Sequence, residues 1–261
     1  MDLGIAGKKA LVLGASRGLG AAIAAALADE KVQVTGASRN PDAIRRWIDE
    51  GPAERRAHID IATVDLADTA SVDALADSLL ADGGVDILIN NSGGPGAATA
   101  LAATHSDWTT EFEAMAANLF HLTQRLVPAM IGHGWGRIIT IGSSGVIQPI
   151  PSLAISNAVR AAVSGWSKTL ATEVAAHGIT VNMVIPGRIG TERVRQLDQL
   201  AAQRGNISIE ETRQRSITTI PVQRYGTPEE FAAVVAFLAS TRASYMTGSS
   251  VRVDGGMIRS V

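Results

Sequence analysis

The chain has 261 residues, with 25 acidic against 23 basic side chains and a formal net charge of -2, so it has no basic excess with which to hold nucleic acid or an anionic membrane. It contains no cysteine, which excludes disulfides, thiolate catalysis and cysteine-ligated zinc. A small-molecule partner and a cytoplasmic location are the expectations that remain. An acid at position 2 and glycines through the amino-terminal stretch argue against a signal peptide, and the most apolar helical run, Ala21 to Ala28, falls far short of the roughly 20 residues that span a bilayer.

Short apolar, β-rich runs alternate with helical patterns along the whole chain. The strand ALVLG precedes an alanine-rich helix from about Gly18; VQVTGA and IATVDL follow as strands, then a helix from Thr69 to Ala81 and the strand DILINN. A long helix from about Ser106 to Ile131 leads into GRIITIG, one from about Ser152 to Ala176 into ITVNMVIP, and one beginning at TPEEFAAVVAFLA into the closing strand SSVRVDG. Strands that are apolar throughout belong in a sheet covered on both faces. The pattern predicts one domain over residues 1–261: a Rossmann-type, doubly wound parallel sheet of about seven strands with helices on both faces. The segment from Thr191 to Ile220 is more charged and poor in strand formers, and reads as two helices over the carboxyl edge of the sheet, either a solvated pair or a substrate-covering lid.

The run GASRGLG places Gly14, Gly18 and Gly20 between the first strand and its helix, where glycines admit a pyrophosphate and the helix amino terminus offers unpaired N–H groups. After the second strand comes GASRN. An NAD site would carry an acid there to bind the ribose 2′-hydroxyl; this chain has Ser38 and Arg39, with Arg17 in the glycine loop. Two guanidiniums and no carboxylate suit a 2′-phosphate, so NADP(H) is the expected cofactor, against the alternative of solvated surface arginines.

In their order and spacing these motifs resemble the short-chain dehydrogenase/reductase family, specifically its β-ketoacyl carrier-protein reductase branch. G-x-x-x-G-x-G, NNSG at Asn90–Gly93, IPG at Ile185–Gly187 with Thr191, and VDGG at Val253–Gly256 are each similar to that family's motifs, over nearly the whole chain. The resemblance implies a cofactor held by Gly14, Ser16, Arg17, Gly18, Leu19 and Gly20, with Asp65 and Leu66 flanking the adenine. It further implies Asn91, Ser92 and Gly93 along the adenosine ribose, and Pro186, Gly187, Ile189 and Thr191 around the nicotinamide. It also implies a carbonyl or alcohol substrate and a homodimer or homotetramer formed through the helices beginning near Ser106 and Ser152.

By the same resemblance Asn118 and Ser143 match the asparagine and serine of the family's reaction centre. At the family's spacing from Ser143, however, its tyrosine and lysine fall on Ser156 and Arg160, and starting from Ser144 they fall on Asn157 and Ala161. Arg stays protonated up to roughly pH 12 and cannot shuttle a proton as a tuned phenol does. It can stabilise negative charge on a carbonyl oxygen or fix a carboxylate or phosphate; a bland structural role is the alternative. The two tyrosines are Tyr225, a substitute acid by position, and Tyr245, expected to pack; Lys168 is expected at the surface. The five histidines have neither metal-site nor nucleophile-base spacing, and Ser143 and Ser144 lack a His–Asp set, which argues against a hydrolase. Two functions remain: an NADP(H)-dependent oxidoreductase with an altered proton donor, and a nucleotide-binding protein without redox turnover.

Overall fold

The structure, a computed structural model, describes residues 1–260. In chain order its elements are β1 (Lys9–Leu13), α1 (Gly18–Asp29), β2 (Gln33–Ser38), α2 (Pro41–Asp49), α3 (Ala53–Arg56), β3 (Ile59–Thr63), α4 (Thr69–Ala81), β4 (Ile87–Asn90), α5 (His105–Phe112), a π turn (Glu113–Ala117), α6 (Asn118–His133), β5 (Gly136–Ile141), α7 (Ala154–Val174), β6 (Ile179–Pro186), α8 (Glu192–Gly205), α9 (Ile209–Thr218), α10 (Pro228–Ala239) and β7 (Ser250–Val253). All seven strands are parallel, in the order β3-β2-β1-β4-β5-β6-β7. The doubly wound sheet expected from the sequence is therefore present. Its strand order reverses between β1 and β4, and the crevice beyond their carboxyl ends is where open α/β sheets hold ligands.

Successive side chains of a strand point to opposite faces. On β1, Ala10 and Val12 pack with Ile23 and Leu27 of α1 and Phe231 and Val235 of α10. Leu11 and Leu13 pack on the other face with Val72 and Leu75 of α4 and Leu122 and Leu126 of α6. A third cluster joins Ile155, Val159 and Val163 of α7 to Met115 of the π turn and to Met183 and Ile185 of β6. Among the described residues no helix is long and apolar enough to cross a membrane.

Three boundaries differ from the sequence reading. The third strand covers Ile59–Thr63, so the Val64–Leu66 end of IATVDL is loop, with Asp65 in a turn whose Oδ1 accepts from Ala67 N at 3.0 Å. The long helix before β5 is interrupted by the π turn. The next one starts at Ala154, and the chain ahead of it is pinned at Ile150, whose N–H and carbonyl are spanned by the Asn157 amide at 3.2 and 2.9 Å.

The helix that returns the chain to β7 opens with a capping box: Thr227 Oγ1 accepts from Glu230 N at 3.2 Å and Glu230 Oε2 accepts from Thr227 N at 2.8 Å. Hydrogen bonds from the Arg224 guanidinium, then from the Thr227 N–H, hold the Glu230 carboxyl down to about 2. Its stabilising contribution is thus complete above its ordinary value of 4.5 and is lost as pH falls through about 2. A Glu230→Gln variant should lose less stability than the parent between those limits, measured as urea midpoints across the acid range; parallel losses would count against the assignment.

Candidate functional site

The glycine-rich turn hangs between β1 and α1 at the crevice. Gly14 has φ +65°, a left-handed conformation costly for other residues, and a Cβ there would lie 2.7 Å from Asn91 Nδ2. Gly20 is tighter still, since a Cβ would sit 2.1 Å from the Gly14 carbonyl oxygen. The loop is fixed from two sides. Asn91 Nδ2 donates to the Leu13 carbonyl at 3.1 Å, and Trp47 Nε1, from α2, donates to the Ala15 carbonyl at 2.9 Å.

Helix α1 starts after Arg17 with no side-chain cap and no acid in its first turn. By contrast α2, α4, α8, α9 and α10 are each capped, by Asn40, Asp68, Thr191, Ser208 and Thr227. The first N–H groups of α1, flanked by Ser16 and Leu19, therefore have no side chain competing for them, which is what an anion at a helix amino terminus requires. Ser38 is committed elsewhere: its hydroxyl donates to the Asn40 carbonyl at 3.0 Å and accepts from Asn40 N at 3.2 Å, turning the chain into α2. Arg17 and Arg39 are exposed, and neither forms a side-chain hydrogen bond or ion pair among the described residues. The cradle and these two cations fit a dinucleotide carrying a 2′-phosphate.

Beyond β3, the Leu66 carbonyl accepts from Asn118 Nδ2 at 2.8 Å, and Asn118 Oδ1 accepts from Thr69 Oγ1 at 3.0 Å. The Asn118 side chain is 2% exposed and ties the start of α6 to the loop that carries Asp65. It directly follows the π turn, a distortion that recurs at functional sites.

Ser143 lies just past β5, and its Oγ accepts from Gly145 N at 3.2 Å inside a short 3-10 turn over Ser144–Val146. Helix α7 packs against that turn. Ser156 and Arg160 are one helical turn apart on α7, hence on one face. Arg160 is half-buried. Its Nη1 donates to the Ile141 carbonyl at 3.0 Å, and its Nη2 donates to the Gly93 and Ser92 carbonyls at 3.2 and 3.4 Å. Burial, and then the neighbouring Arg193, pull its guanidinium down to about 10, so it is cationic at neutral pH. The structure thus brings Asn91, Ser92, Gly93, Ser143 and Arg160 to one end of the sheet, where the strand ends of β4 and β5 meet.

Facing them is the turn after β6. Gly187 N donates to the Val253 carbonyl at 2.9 Å, and a Cβ on Gly187 would press to 2.6 Å from Asp254 Cα. Ile189 is buried and bridges to Gly226 in the loop before α10, while Thr191 Oγ1 caps α8. Arg188, Asp198 and Tyr225 knit this turn to α8: Arg188 Nη1 donates to Asp198 Oδ1 and Tyr225 OH to Asp198 Oδ2, each at 2.9 Å. Asp198 is 3% exposed, so Asp198→Ala should cost about 1–3 kcal/mol by stranding both donors. The denaturant midpoint measures this; an unchanged midpoint would show that α8 is held otherwise.

Two readings of individual residues change. Tyr225 is engaged as a donor to Asp198, and burial followed by that carboxylate's pull pushes its phenol upward, which makes it a poorer acid. Tyr245 does not pack; it is fully exposed in the loop before β7. Lys168 is exposed, as expected, and its Nζ donates to the Gly248 carbonyl at 3.1 Å. Sequence reasoning missed Trp47, Asp198 and Arg193. An indole or a carboxylate on an otherwise ordinary amphipathic helix carries no local mark of the loop it will meet.

A family model described as enoyl-(acyl carrier protein) reductase matches residues 14–258. The 3-oxoacyl-(acyl-carrier-protein) reductase of Salmonella typhimurium is 36% identical over 254 residues, which cover 96% of this chain and 97% of that protein. Nodulation protein G of Azospirillum brasilense is 34% identical over 252 residues, covering 96% and 98%. Among solved structures, L-sorbose reductase from Gluconobacter frateurii, complexed with NADPH and L-sorbose, superposes with a TM-score of 0.92 at 33% identity, with 100% of both chains covered. YwfH, an NADPH-dependent reductase involved in bacilysin biosynthesis, gives 0.91 at 30% identity over 98% of this chain and 100% of that one. On sheet order, crevice and near-complete match alike, the chain belongs to the short-chain dehydrogenase/reductase family.

Proposed function

We propose that the chain is an NADP(H)-dependent oxidoreductase that interconverts a carbonyl and an alcohol, with Ser156 and Arg160 standing where relatives carry a tyrosine and a lysine. The observation that carries this reading is the uncapped amino terminus of α1 flanked by the unpaired Arg17 and Arg39, at the same sheet edge as Ser143 and Arg160. Gly14, Ser16, Gly18, Leu19 and Gly20 would cradle the pyrophosphate, and Arg17 and Arg39 the 2′-phosphate, with the Ser38 hydroxyl holding the turn that carries Arg39. Asp65, Leu66, Asn91, Ser92 and Gly93 would line the adenosine half, and Pro186, Gly187, Ile189 and Thr191 the nicotinamide half. The NADPH-bound L-sorbose reductase and YwfH, named as NADPH-dependent, support that cofactor.

The cofactor supplies a hydride when bound. Ser143 donates a hydrogen bond to the substrate oxygen. The Arg160 cation, held beside it by three backbone carbonyls, stabilises negative charge developing on that oxygen without giving up its proton. The Ser156 hydroxyl relays a proton from water, and Asn118 fixes the helix start and the adenine-side loop that border the centre. Helices α8 and α9, over residues 191–220, act as the lid. Exposed small residues Ala158, Ala161, Ala162 and Gly165 on α7 would let two copies pack helix on helix as a homodimer or homotetramer.

NADPH fluorescence and substrate-dependent NADPH oxidation test the reading. Arg39→Ala should weaken NADPH about 10–100-fold while leaving NADH nearly unchanged, the loss of a charge-assisted contact. Ser143→Ala should lower kcat roughly a hundredfold or more. Micromolar NADPH binding with no turnover across ketones, ketoacyl thioesters, imines and sugars would instead favour a nucleotide-binding protein without redox chemistry. One observation favours that second reading: of the two tyrosines, one is engaged with Asp198 and the other lies at the surface.

A further inference from the structure

Most arginines between β6 and α10 have a carboxylate partner. Arg188 pairs with Asp198 at 2.9 Å, Arg195 with Glu192, Arg213 with Glu210 at 3.6 Å, Arg215 with Glu211 at 2.7 Å, and Arg224 with Glu230 at 2.6 Å. Arg204 has none among the described residues, but it stands in the last turn of α8, where the helix dipole favours a cation. Arg193 also has none, and it stands in the first turn of the same helix, where the dipole opposes a cation. Its own helix gives no electrostatic reason for it to be there.

Arg193 Nη2 donates to the Pro95 carbonyl at 2.9 Å, and from α7 Arg160 Nη2 donates to the Gly93 carbonyl at 3.2 Å. Two guanidiniums therefore hold opposite ends of the loop 93–95 after β4, whose Gly93 and Gly94 are exposed and whose Pro95 is buried, and neither is in an ion pair among the described residues. They also repel one another: after burial, Arg193 is the cause of the lowered proton affinity of Arg160. Arg137 shows what a purely structural buried arginine looks like here. It too lacks an acid, but it has acceptors at Gly136, Gly178, Ser240 and Ser244 and the Trp135 ring 4.3 Å from its guanidinium, and the second cation on that ring, Lys8, is neutralised by Asp86 at 3.1 Å. The half-buried Arg160 and the exposed Arg193 thus put two unneutralised cations on one loop, a placement that an anion would relieve. Guanidinium is the side chain whose planar fork matches a carboxylate.

We propose that Arg193 and Arg160 form a receptor for a carboxylate carried by the carbonyl substrate, so that the substrate class is an oxo-acid and not a neutral ketone or thioester. The proposal rests on the reductase reading of the crevice and names what that crevice selects. Arg193, on the lid, contacts the carboxylate, while Arg160, deeper, faces the carbonyl oxygen as well. Substrate binding then neutralises the two cations that meet at the 93–95 loop, and it draws α8 over the site.

Calorimetric titration with 2-oxohexanoate and 4-oxohexanoate, each against its methyl ester, with and without NADP⁺, tests the proposal. At least one acid should bind roughly tenfold or more tighter than its ester. Arg193→Gln should erase that preference while NADPH affinity, read by fluorescence on the same samples, stays within about twofold. Equal binding of acid and ester, or binding of neither, overturns the proposal. So does an Arg193→Gln variant that loses NADPH and keeps the preference, because the cation then serves the cofactor's phosphates. Failure of the parent protein to bind NADPH overturns the reductase reading instead, and the acid-over-ester preference is read independently of it.

Discussion

A Gly20→Ala variant is expected to lose about 3 kcal/mol of stability, roughly 10 °C in Tm, and to bind NADPH about a hundredfold more weakly than the parent. The added methyl would lie 2.1 Å from the Gly14 carbonyl oxygen and 3.0 Å from Asn91 Nδ2. The first neighbour is backbone, so relief requires moving the turn itself, and the turn is also pinned by Trp47 at Ala15. Both measurements should therefore fall together. Gly93→Ala is the matched control, because a Cβ there meets nothing within 4 Å. It should leave Tm unchanged and weaken NADPH only if a ligand fills that space. Calorimetry and NADPH fluorescence separate the two cases, and a Gly20→Ala protein with parental Tm and affinity would show that the loop does not hold the cofactor.

Removing the charge at Arg160 should produce the second large effect. Arg160→Met preserves much of the volume but leaves the Ile141, Ser92 and Gly93 carbonyls without their donor and the substrate oxygen without a cation. A fall in kcat of about 10²–10³ is expected, the range seen when a preorganised oxyanion donor is removed. Arg160→Lys keeps the charge but cannot span three carbonyls, and should fall between the parent and Met. If Arg160 is only a strut, both variants lower stability and leave kcat per folded site unchanged. The double change Ser156→Tyr with Arg160→Lys is a gain-of-function arm. Ordinary ketoreductase activity in that variant would show that Ser143, Asn118 and the nicotinamide turn are already in working positions.

The sheet was legible in the sequence because its strands are apolar on both faces and its helices are long, so composition alone separates them. Both predicted helices of the 191–220 segment exist, because Thr191 and Ser208 are good caps ahead of amphipathic runs. What escaped was set by contacts across the fold. The tail of IATVDL reads as strand by composition, but Asp65 bonds its own backbone neighbours and leaves the sheet. Asn118 could be singled out by resemblance, yet its partners Leu66 and Thr69 lie some fifty residues earlier in the chain and meet it only because α4 packs on α6. The apolar ring of Tyr245 gave no sign that its loop would face solvent. The convergence of Arg160 and Arg193 on one loop depends on α7 and α8 both reaching it, which no spacing along the chain encodes.

The π turn at Glu113–Ala117 makes the length of this region matter as much as its residues. One residue more than an α-helix needs is wound into a single turn, which lets α5 lie against α7 while α6 lies against α4. Removing one residue here would relax the turn to α geometry and leave the phase of α6 nearly as it is, whereas removing one from the regular turns of α6 would rotate everything beyond it by about 100°. With Met115 and Ala116 buried, the segment should tolerate the loss of one exposed residue better than α6 does, and paired single deletions in the two segments, read as Tm, would show it.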